Sequence, residues 1–350
     1  MSGSDVSVAS GPQLADERAA PLFEARDLVK QFRSRRTVVQ AVNGVSLKIP
    51  RGRTVGLVGE SGSGKSTVAR LALRLLDPTS GEVSFDGVDL LRASRAEMRA
   101  LRRRMQIVFQ DPLGSLNPRM RVLNAVGEPL SVHGIAKGKD KADRVVELLE
   151  RVGLSSGDLY KFSHQFSGGQ AQRIGIARAL ATDPDLIVCD EAVSALDVSV
   201  QAQVLNLLKE LQAELGLSYL FIAHDLNVVR YMADEVCVMY LGEIVERGDG
   251  DELFADPRHP YTKMLVSAVP EFAPELADGR GRRSIPRGEP ASPSDPPPGC
   301  RFHPRCPQAM RRCREEAPAM HRVPTGRAVA CHLFDAPAAP ADAEREASER

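Results

Sequence analysis

Gly59-Glu60-Ser61-Gly62-Ser63-Gly64-Lys65-Ser66-Thr67 has the spacing G-x-x-x-x-G-K-S. Glycines let a backbone wrap a phosphate with no Cβ in the way. Lys65 adds a point charge for β- and γ-phosphates, and the Ser66 hydroxyl suits Mg²⁺. A second chemical pair, Asp190-Glu191, follows the apolar run Leu186-Ile187-Val188-Cys189. Open α/β sheets place their chemistry at such strand ends. Asp190 is the candidate metal ligand there, and Glu191 the candidate base for an attacking water. Nucleotide binding is the expectation these residues set.

The flanking elements fit that chemistry. Thr54 to Val58 reads as a buried strand before the glycine loop. Val68, Leu71, Ala72, Leu75 and Leu76 fall on one face of a helix after it. A strand thus runs into a helix N-terminus, where free N–H groups and the helix dipole favour an anion. Earlier, Phe23, Leu28 and Phe32 punctuate a strand-like stretch, and Val45, Leu47 and Ile49 alternate with polar residues. Glu82 to Asp86 suggests another short strand. From about Arg92 to Gly169 the pattern reads as helical, Asp140 to Val152 being amphipathic. Arg92, Arg95, Arg99 and Arg102 to Arg104 read as a solvated basic helix face. After Leu186–Cys189 come a helix at Val200–Leu215, a buried strand at Tyr219–Ala223 and terminal strands at Val236–Tyr240 and Ile244–Val245. Helices following strands argue for a parallel sheet covered on both faces, with a helical insertion.

The totals exclude little and point nowhere exotic. With 350 residues, 43% hydrophobic and 26% charged, the chain has the composition of a globular protein with room for a sizeable core. Lys+Arg and Asp+Glu are both 46, so nothing global suggests a nucleic-acid partner. No apolar run approaches the ~18 residues of a membrane span and no signal-peptide h-region is seen, which sets a cytosolic expectation. Six cysteines in that setting favour metal binding or burial over disulfides.

Ser167-Gly168-Gly169-Gln170, followed by Arg173, resembles the signature motif of ATP-binding cassette (ABC) ATPases. Other family motifs match in order across roughly residues 22–333. Phe32 stands where the family puts an aromatic ring under adenine, and Gln110 matches the Q-loop glutamine. Asp190-Glu191 matches the Walker B pair, Ser194-Ala195-Leu196-Asp197 the D-loop, and His224 the switch histidine. The resemblance implies an α/β fold: a P-loop ATPase core with a mostly parallel sheet, an N-terminal antiparallel β subdomain and a helical subdomain. It implies two cassettes sandwiching two ATP molecules, with Ser167, Gly168, Gly169 and Gln170 serving the opposite subunit's nucleotide. Gln110 and His224 would sense Mg²⁺, the attacking water and the γ-phosphate, and Asp197 would join the composite site. Two departures stand out: Ala192 follows Glu191 where the family usually has Pro, and Ala171 follows the signature Gln where Arg is common.

Within the family, Gln110-Asp111-Pro112 through Pro118, Ser194 through Gln203, and His259-Pro260-Tyr261-Thr262 resemble ATPases of bacterial oligopeptide and dipeptide importers, and nickel importers share many of these features. That likeness implies two separate transmembrane permease subunits, an extracytoplasmic binding protein, a paralogous second ATPase chain in a heterodimer, and a peripheral place on the cytoplasmic face of the membrane. Past a Pro/Gly/Arg-rich linker at 270–298, Cys300, Cys306, Cys313 and Cys331 are spaced C-x5-C-x6-C-x17-C. Four thiols in a segment with a thin core suggest an all-cysteine site. The spacing lacks paired C-x2-C knuckles, favouring a [4Fe–4S] cluster over Zn²⁺, with His303, His321 and His332 as alternative ligands. Cys189 and Cys237, in apolar strands, read as buried. The expected division is a disordered 1–20, an ATPase domain at 21–255 with its helical part at 92–169, an extension at 256–334 resembling that of the same importers, and a loose tail at 335–350.

A non-transport cassette acting on DNA or ribosomes is the rival from another class. DNA-repair and chromosome members carry long insertions, whereas only roughly a hundred residues separate Lys65 from Ser167, and ribosomal members usually hold two cassettes. A module that binds ATP without hydrolysing it would lack the base or the signature, yet Glu191 and Ser167 are both present.

Overall fold

A computed structural model describes residues 20–34, 37–269, 291–323 and 326–335. Apart from Ala20 and Asp335, the expected loose termini lie outside those residues, as does most of the expected linker.

The first strands, β1 (Phe23–Arg33) and β2 (Val38–Ile49), pair antiparallel, and Val45, Leu47 and Ile49 are buried as their alternation predicts. After β3 (Thr54–Val58) come the glycine loop and α1 (Lys65–Ala72). This helix is shorter than its apolar spacing suggests. Arg74 takes a left-handed φ of 47°, the chain turns, and Leu75 faces solvent at 52% exposure while Leu76 packs against the core. The strands β4 (Ser80–Phe85) and β5 (Val88–Asp89) complete an antiparallel sheet in the order β2-β1-β4-β5.

The stretch expected to be helical from Arg92 to Gly169 contains a strand. α2 (Arg95–Arg104), opened by a Ser94/Glu97 capping box, passes directly into β6 (Met105–Val108), which pairs parallel with β7 (Leu186–Asp190). No turn residue separates helix from strand, so local spacing hides the change and tertiary pairing decides it. The arginines of α2 are also not a purely solvated face. Arg104 bridges Asp86 (2.8 Å) and Asp185 (2.5 Å), tying the antiparallel sheet to the larger one. The helices α3 (Val122–Val132), α4 (Gly138–Arg151) and α5 (Gly168–Leu180) follow, with Val145, Leu148 and Leu149 of α4 buried as its periodicity predicts.

Past β7 run α6 (Val198–Leu215), β8 (Ser218–Ile222), α7 (Leu226–Met232), β9 (Glu235–Tyr240), β10 (Glu243–Asp249), α8 (Gly250–Ala255), α9 (Pro260–Ser267), α10 (Arg312–Glu315), β11 (Met320–Arg322) and β12 (Ala328–Ala330). The large sheet has the order β11-β12-β10-β9-β3-β8-β7-β6, parallel from β9 to β6. Every residue of β3, β7 and β8 is buried, as strands covered on both faces require. Alternation splits the core in two. Leu186 and Val188 join the cluster under the antiparallel sheet, while Ile187 and Cys189 join the cluster under α3 to α7.

β9 and β10 are not terminal. The cysteine-bearing segment adds β12 and β11 to the same sheet, pairing Glu246 with Val329 and Arg247 with Ala328. Part of the expected linker is also anchored, since Gln40 N–H donates to Pro293 O at 3.0 Å.

Candidate active site

The glycine loop lies between β3 and α1, and its shape depends on residues without side chains. A Cβ on Gly64, at φ 107°, would sit 2.1 Å from Ala41 O. Lys65 is buried and its Nζ donates to Gly59 O (2.8 Å) and Glu60 O (3.0 Å). Burial lowers its pKa, opposed by the charges of Glu191, Asp190 and Glu60. Thr67 N–H bonds Gly64 O within the first turn, Ser61 and Gly62 are exposed, and the Ser63 hydroxyl is buried without a partner among the described residues.

Ser66 Oγ donates to Asp190 Oδ1 at 2.9 Å, so two of the three candidate magnesium ligands are adjacent, while Gln110 is hydrogen-bonded to Glu191. Asp190 is buried, and loss of water raises its pKa against the Ser66 hydrogen bond that lowers it. Two hard oxygen donors at a strand end are the donor set Mg²⁺ prefers. Among the described residues, however, no three His, Cys, Asp or Glu side chains converge closely enough to hold a metal ion. The site fits an ion whose remaining ligands are water and phosphate.

Next in the chain, Glu191 adopts φ 50°, a left-handed conformation uncommon for a residue with a side chain and typical of functional sites. Its N–H bonds Ile222 O (3.0 Å), and its carbonyl accepts from both Ser194 N–H (3.1 Å) and Ser194 Oγ (2.9 Å). Ala192, buried at 2%, therefore leaves a turn that is fully held despite the missing proline. Gln110 Nε2 donates to Glu191 Oε2 at 3.0 Å, and His224 Nδ1 lies 3.5 Å from the same oxygen. Gln110, Glu191 and His224 thus meet, one from the end of each of three neighbouring strands.

Other expected residues stand apart from this group. Ser167 caps α5 in a box with Gln170, accepting from Gln170 N–H (3.3 Å) and donating its own N–H to Gln170 Oε1 (3.1 Å). Ser167, Gly168 and Gln170 are exposed, whereas Gly169 packs on α6, where a Cβ would lie 2.2 Å from Val200 Cγ1. Asp197 caps α6 through Val200 N–H (3.0 Å), and that bond and the Ser199 hydroxyl hold its carboxyl below the usual range. Phe32 is 44% exposed, its ring open to solvent with Lys30 Nζ 5.4 Å from the centroid. Among the described residues none of these is hydrogen-bonded to the loop, Glu191 or His224.

Sequence reasoning missed several residues that bind these parts together. Gln172 and Arg178 of α5 donate to Phe109 O (3.4 Å) and Ser115 O (2.6 Å), coupling the signature helix to the segment carrying Gln110. Arg301 and Arg305, beside Cys300 and Cys306, reach Glu243 and Glu60. No spacing marks either arginine.

Cys300, Cys306, Cys313 and Cys331 line one cavity together with Phe302 and His259. Burial, then the neighbouring sulfurs, pushes Cys300 up to about 12. His303 and His332 border the same cavity, but His332 is engaged on both nitrogens, with Asp335 (2.9 Å) and Glu316 O (3.0 Å). His321 instead pairs with Asp335 at 2.6 Å. Cys189 and Cys237 are buried in β7 and β9 as expected, burial pushing Cys189 up to about 12.

Residues 42–194 match the family model described as ABC transporter, and residues 245–313 match the oligopeptide/dipeptide transporter C-terminal region. A Brucella ovis protein named for peptide import and ATP binding is 49% identical over 311 residues, 89% of this chain and 97% of that one. A Bacillus subtilis protein named for oligopeptide transport and ATP binding, YkfD, is 49% identical over 91% of this chain and 97% of its own length. The ATP-binding cassette MJ0796, solved as a dimer in a post-hydrolysis state with ADP and Pi, superposes with a TM-score of 0.60 at 31% identity, covering 65% of this chain and 98% of that one. The structure of cbiO1 from Clostridium perfringens gives 0.61 at 28% identity, over 74% and 98%. The chain belongs to the ABC transporter ATPase family, in the group that carries the oligopeptide/dipeptide transporter C-terminal region.

Proposed function

We propose that this chain is the ATP-hydrolysing subunit of an importer for oligopeptides or dipeptides, driving separate membrane-spanning subunits. The observation that carries the reading is the match of residues 245–313 to the oligopeptide/dipeptide transporter C-terminal region, in a chain whose relatives are named for peptide import. Among the described residues no helix is long and apolar enough to cross a membrane, and in this reading other polypeptides form the translocation path. The chain would then sit peripherally on the cytoplasmic face. Its partners would be two permease subunits, an extracytoplasmic binding protein and a second, paralogous ATPase. Residues 21–255 would form the ATPase domain and 256–334 the extension.

In this reading the adenine of ATP stacks on Phe32 and the phosphates lie in Gly59–Thr67. Lys65 exchanges its bonds to Gly59 O and Glu60 O for phosphate oxygens. Ser66 and Asp190, with Gln110, would hold Mg²⁺, which supplies charge neutralisation between phosphates. Glu191 takes the proton of the attacking water, a role worth about 10²- to 10⁴-fold in rate. Gln110 orients Glu191 through their hydrogen bond, and His224 faces the same carboxylate from the next strand. Ser167, Gly168 and Gln170 sit exposed at a helix N-terminus, with Gly169 packed behind them on α6, an arrangement suited to the γ-phosphate of the nucleotide held by the partner ATPase. Asp197, capping the adjacent helix, would line that same junction.

The four-cysteine cavity we assign to a [4Fe–4S] cluster in preference to one Zn²⁺. The support is that four thiols line one cavity with a spacing that lacks C-x2-C pairs; among the described residues no three of them converge as a metal site. The transport reading is tested by isolating the tagged chain from detergent-solubilised membranes. Two integral membrane proteins and a paralogous ATPase should accompany it, and a preparation that instead carries ribosomes or DNA contradicts it.

A further inference from the structure

Glu60 lies inside the phosphate loop, and each of its polar groups is held. Its N–H donates to Tyr261 Oη at 2.8 Å, and its carbonyl accepts from Lys65 Nζ at 3.0 Å. Its carboxylate takes both terminal nitrogens of Arg305, at 2.8 and 3.0 Å. Both distant partners come from the C-terminal region, 201 and 245 residues along the chain.

These partners are themselves fixed. Tyr261 is fully buried in the first turn of α9, where its N–H donates to His259 Nδ1 at 3.0 Å. The Arg305 side chain is 5% exposed and its guanidinium lies over the touching rings of Tyr240 and Phe302, each centroid 5.9 Å away. A second path runs alongside. Arg301 binds Gln40 Oε1 (2.7 Å), Glu243 (2.8 Å) and Leu241 O, and the next residue, Gly242, donates its N–H to Ser63 O (2.8 Å). The cysteine-bearing segment therefore backs the loop at both Glu60 and Ser63.

We infer that Arg305 and Tyr261 are positioning residues of the ATP site: they fix the Glu60 peptide so that the phosphate loop and Lys65 are set before nucleotide arrives. The inference rests on the reading that this loop binds ATP. A two-pronged arginine–carboxylate pair constrains orientation as well as distance, and a buried hydroxyl on the same residue's N–H removes the remaining freedom. Fixing a loop in its bound shape lowers the ordering cost of binding. The contacts therefore act on nucleotide affinity more than on the chemical step, whereas a purely structural contact would change melting temperature and leave KM alone.

The test measures equilibrium binding of a fluorescent ATP analogue, with KM and kcat for ATP, on the full chain in its complex. Arg305→Met and Tyr261→Phe should each weaken binding about 5-fold or more and raise KM to match, with kcat within about 2-fold of wild type. Arg305→Met combined with Glu60→Gln should bind no more weakly than the worse single variant, because both remove the same pair. Folded variants that bind like wild type, or single effects that multiply in the double, overturn the inference. If Arg305→Met does not fold, Tyr261→Phe, which loses only a hydroxyl, decides the matter alone in either direction. Wild-type protein that takes no nucleotide would instead bring down the ATP reading, and this inference with it.

Discussion

Gln110 Nε2 and Glu191 Oε2 meet at 3.0 Å because β6 and β7 end side by side, with Val108 opposite Cys189 as the last pair in register. The two loops leave the sheet together and the amide holds the carboxylate. Gln110→Ala should lower kcat about 10-fold or more and weaken Mg²⁺–nucleotide affinity by a smaller factor, since the glutamine both orients the base and is one of three expected Mg²⁺ ligands. Single-turnover hydrolysis beside equilibrium binding separates the two effects.

Gly169 and Gly175 lie on the same helix and should respond oppositely to alanine. At Gly169 a Cβ would meet Val200 Cγ1 at 2.2 Å, so Gly169→Ala should destabilise by about 1–3 kcal/mol as α5 is pushed off α6. At Gly175 nothing lies within 4 Å, so Gly175→Ala should be neutral or stabilise by up to about 1 kcal/mol through helix propensity. Thermal melting of both variants in parallel reads the difference.

Much of this was legible because phosphate binding uses contiguous residues. The glycine loop, the Asp190-Glu191 pair and the buried strands β7 and β8 each follow from local spacing. β6 was missed because four residues abutting a helix carry no period of their own, and β7 alone makes them a strand. The short α1 was missed because its apolar face continues past Arg74, whose left-handed backbone ends the helix. Arg305 was invisible for a different reason. Its importance comes from a carboxylate 245 residues away, and no local pattern encodes that meeting. Tyr261 lay within a recognised stretch, but its role appears only when its hydroxyl is seen on Glu60 N–H.

His259 supplies a pH dependence. It is fully buried, caps α9 as an acceptor, and burial holds its pKa down to about 3 from 6.5. The unfolded chain therefore binds a proton that the folded one refuses. This contribution is fully present above the unfolded value of 6.5 and is lost as pH falls toward about 3. Stability should drop by about 2 kcal/mol between pH 7 and pH 5 on this account. His259→Asn, which keeps a capping acceptor, should melt lower at pH 7 but show a flatter pH profile. An unchanged slope contradicts the assignment.

The four-cysteine cavity makes a spectroscopic prediction. Protein purified without air should be brown, with broad absorbance near ~400 nm and about four irons per chain. Cys306→Ser should lose both. Colourless protein with stoichiometric zinc contradicts the cluster.

Hydrolysis at Glu191 is the step on which the account turns. ATP turnover by the membrane complex carrying Glu191→Gln, followed by gel filtration to count retained nucleotide, tests it most directly. The account predicts kcat lower by about 100-fold or more, with ATP kept in a closed pair of ATPase subunits. Turnover within about 2-fold of wild type would contradict it.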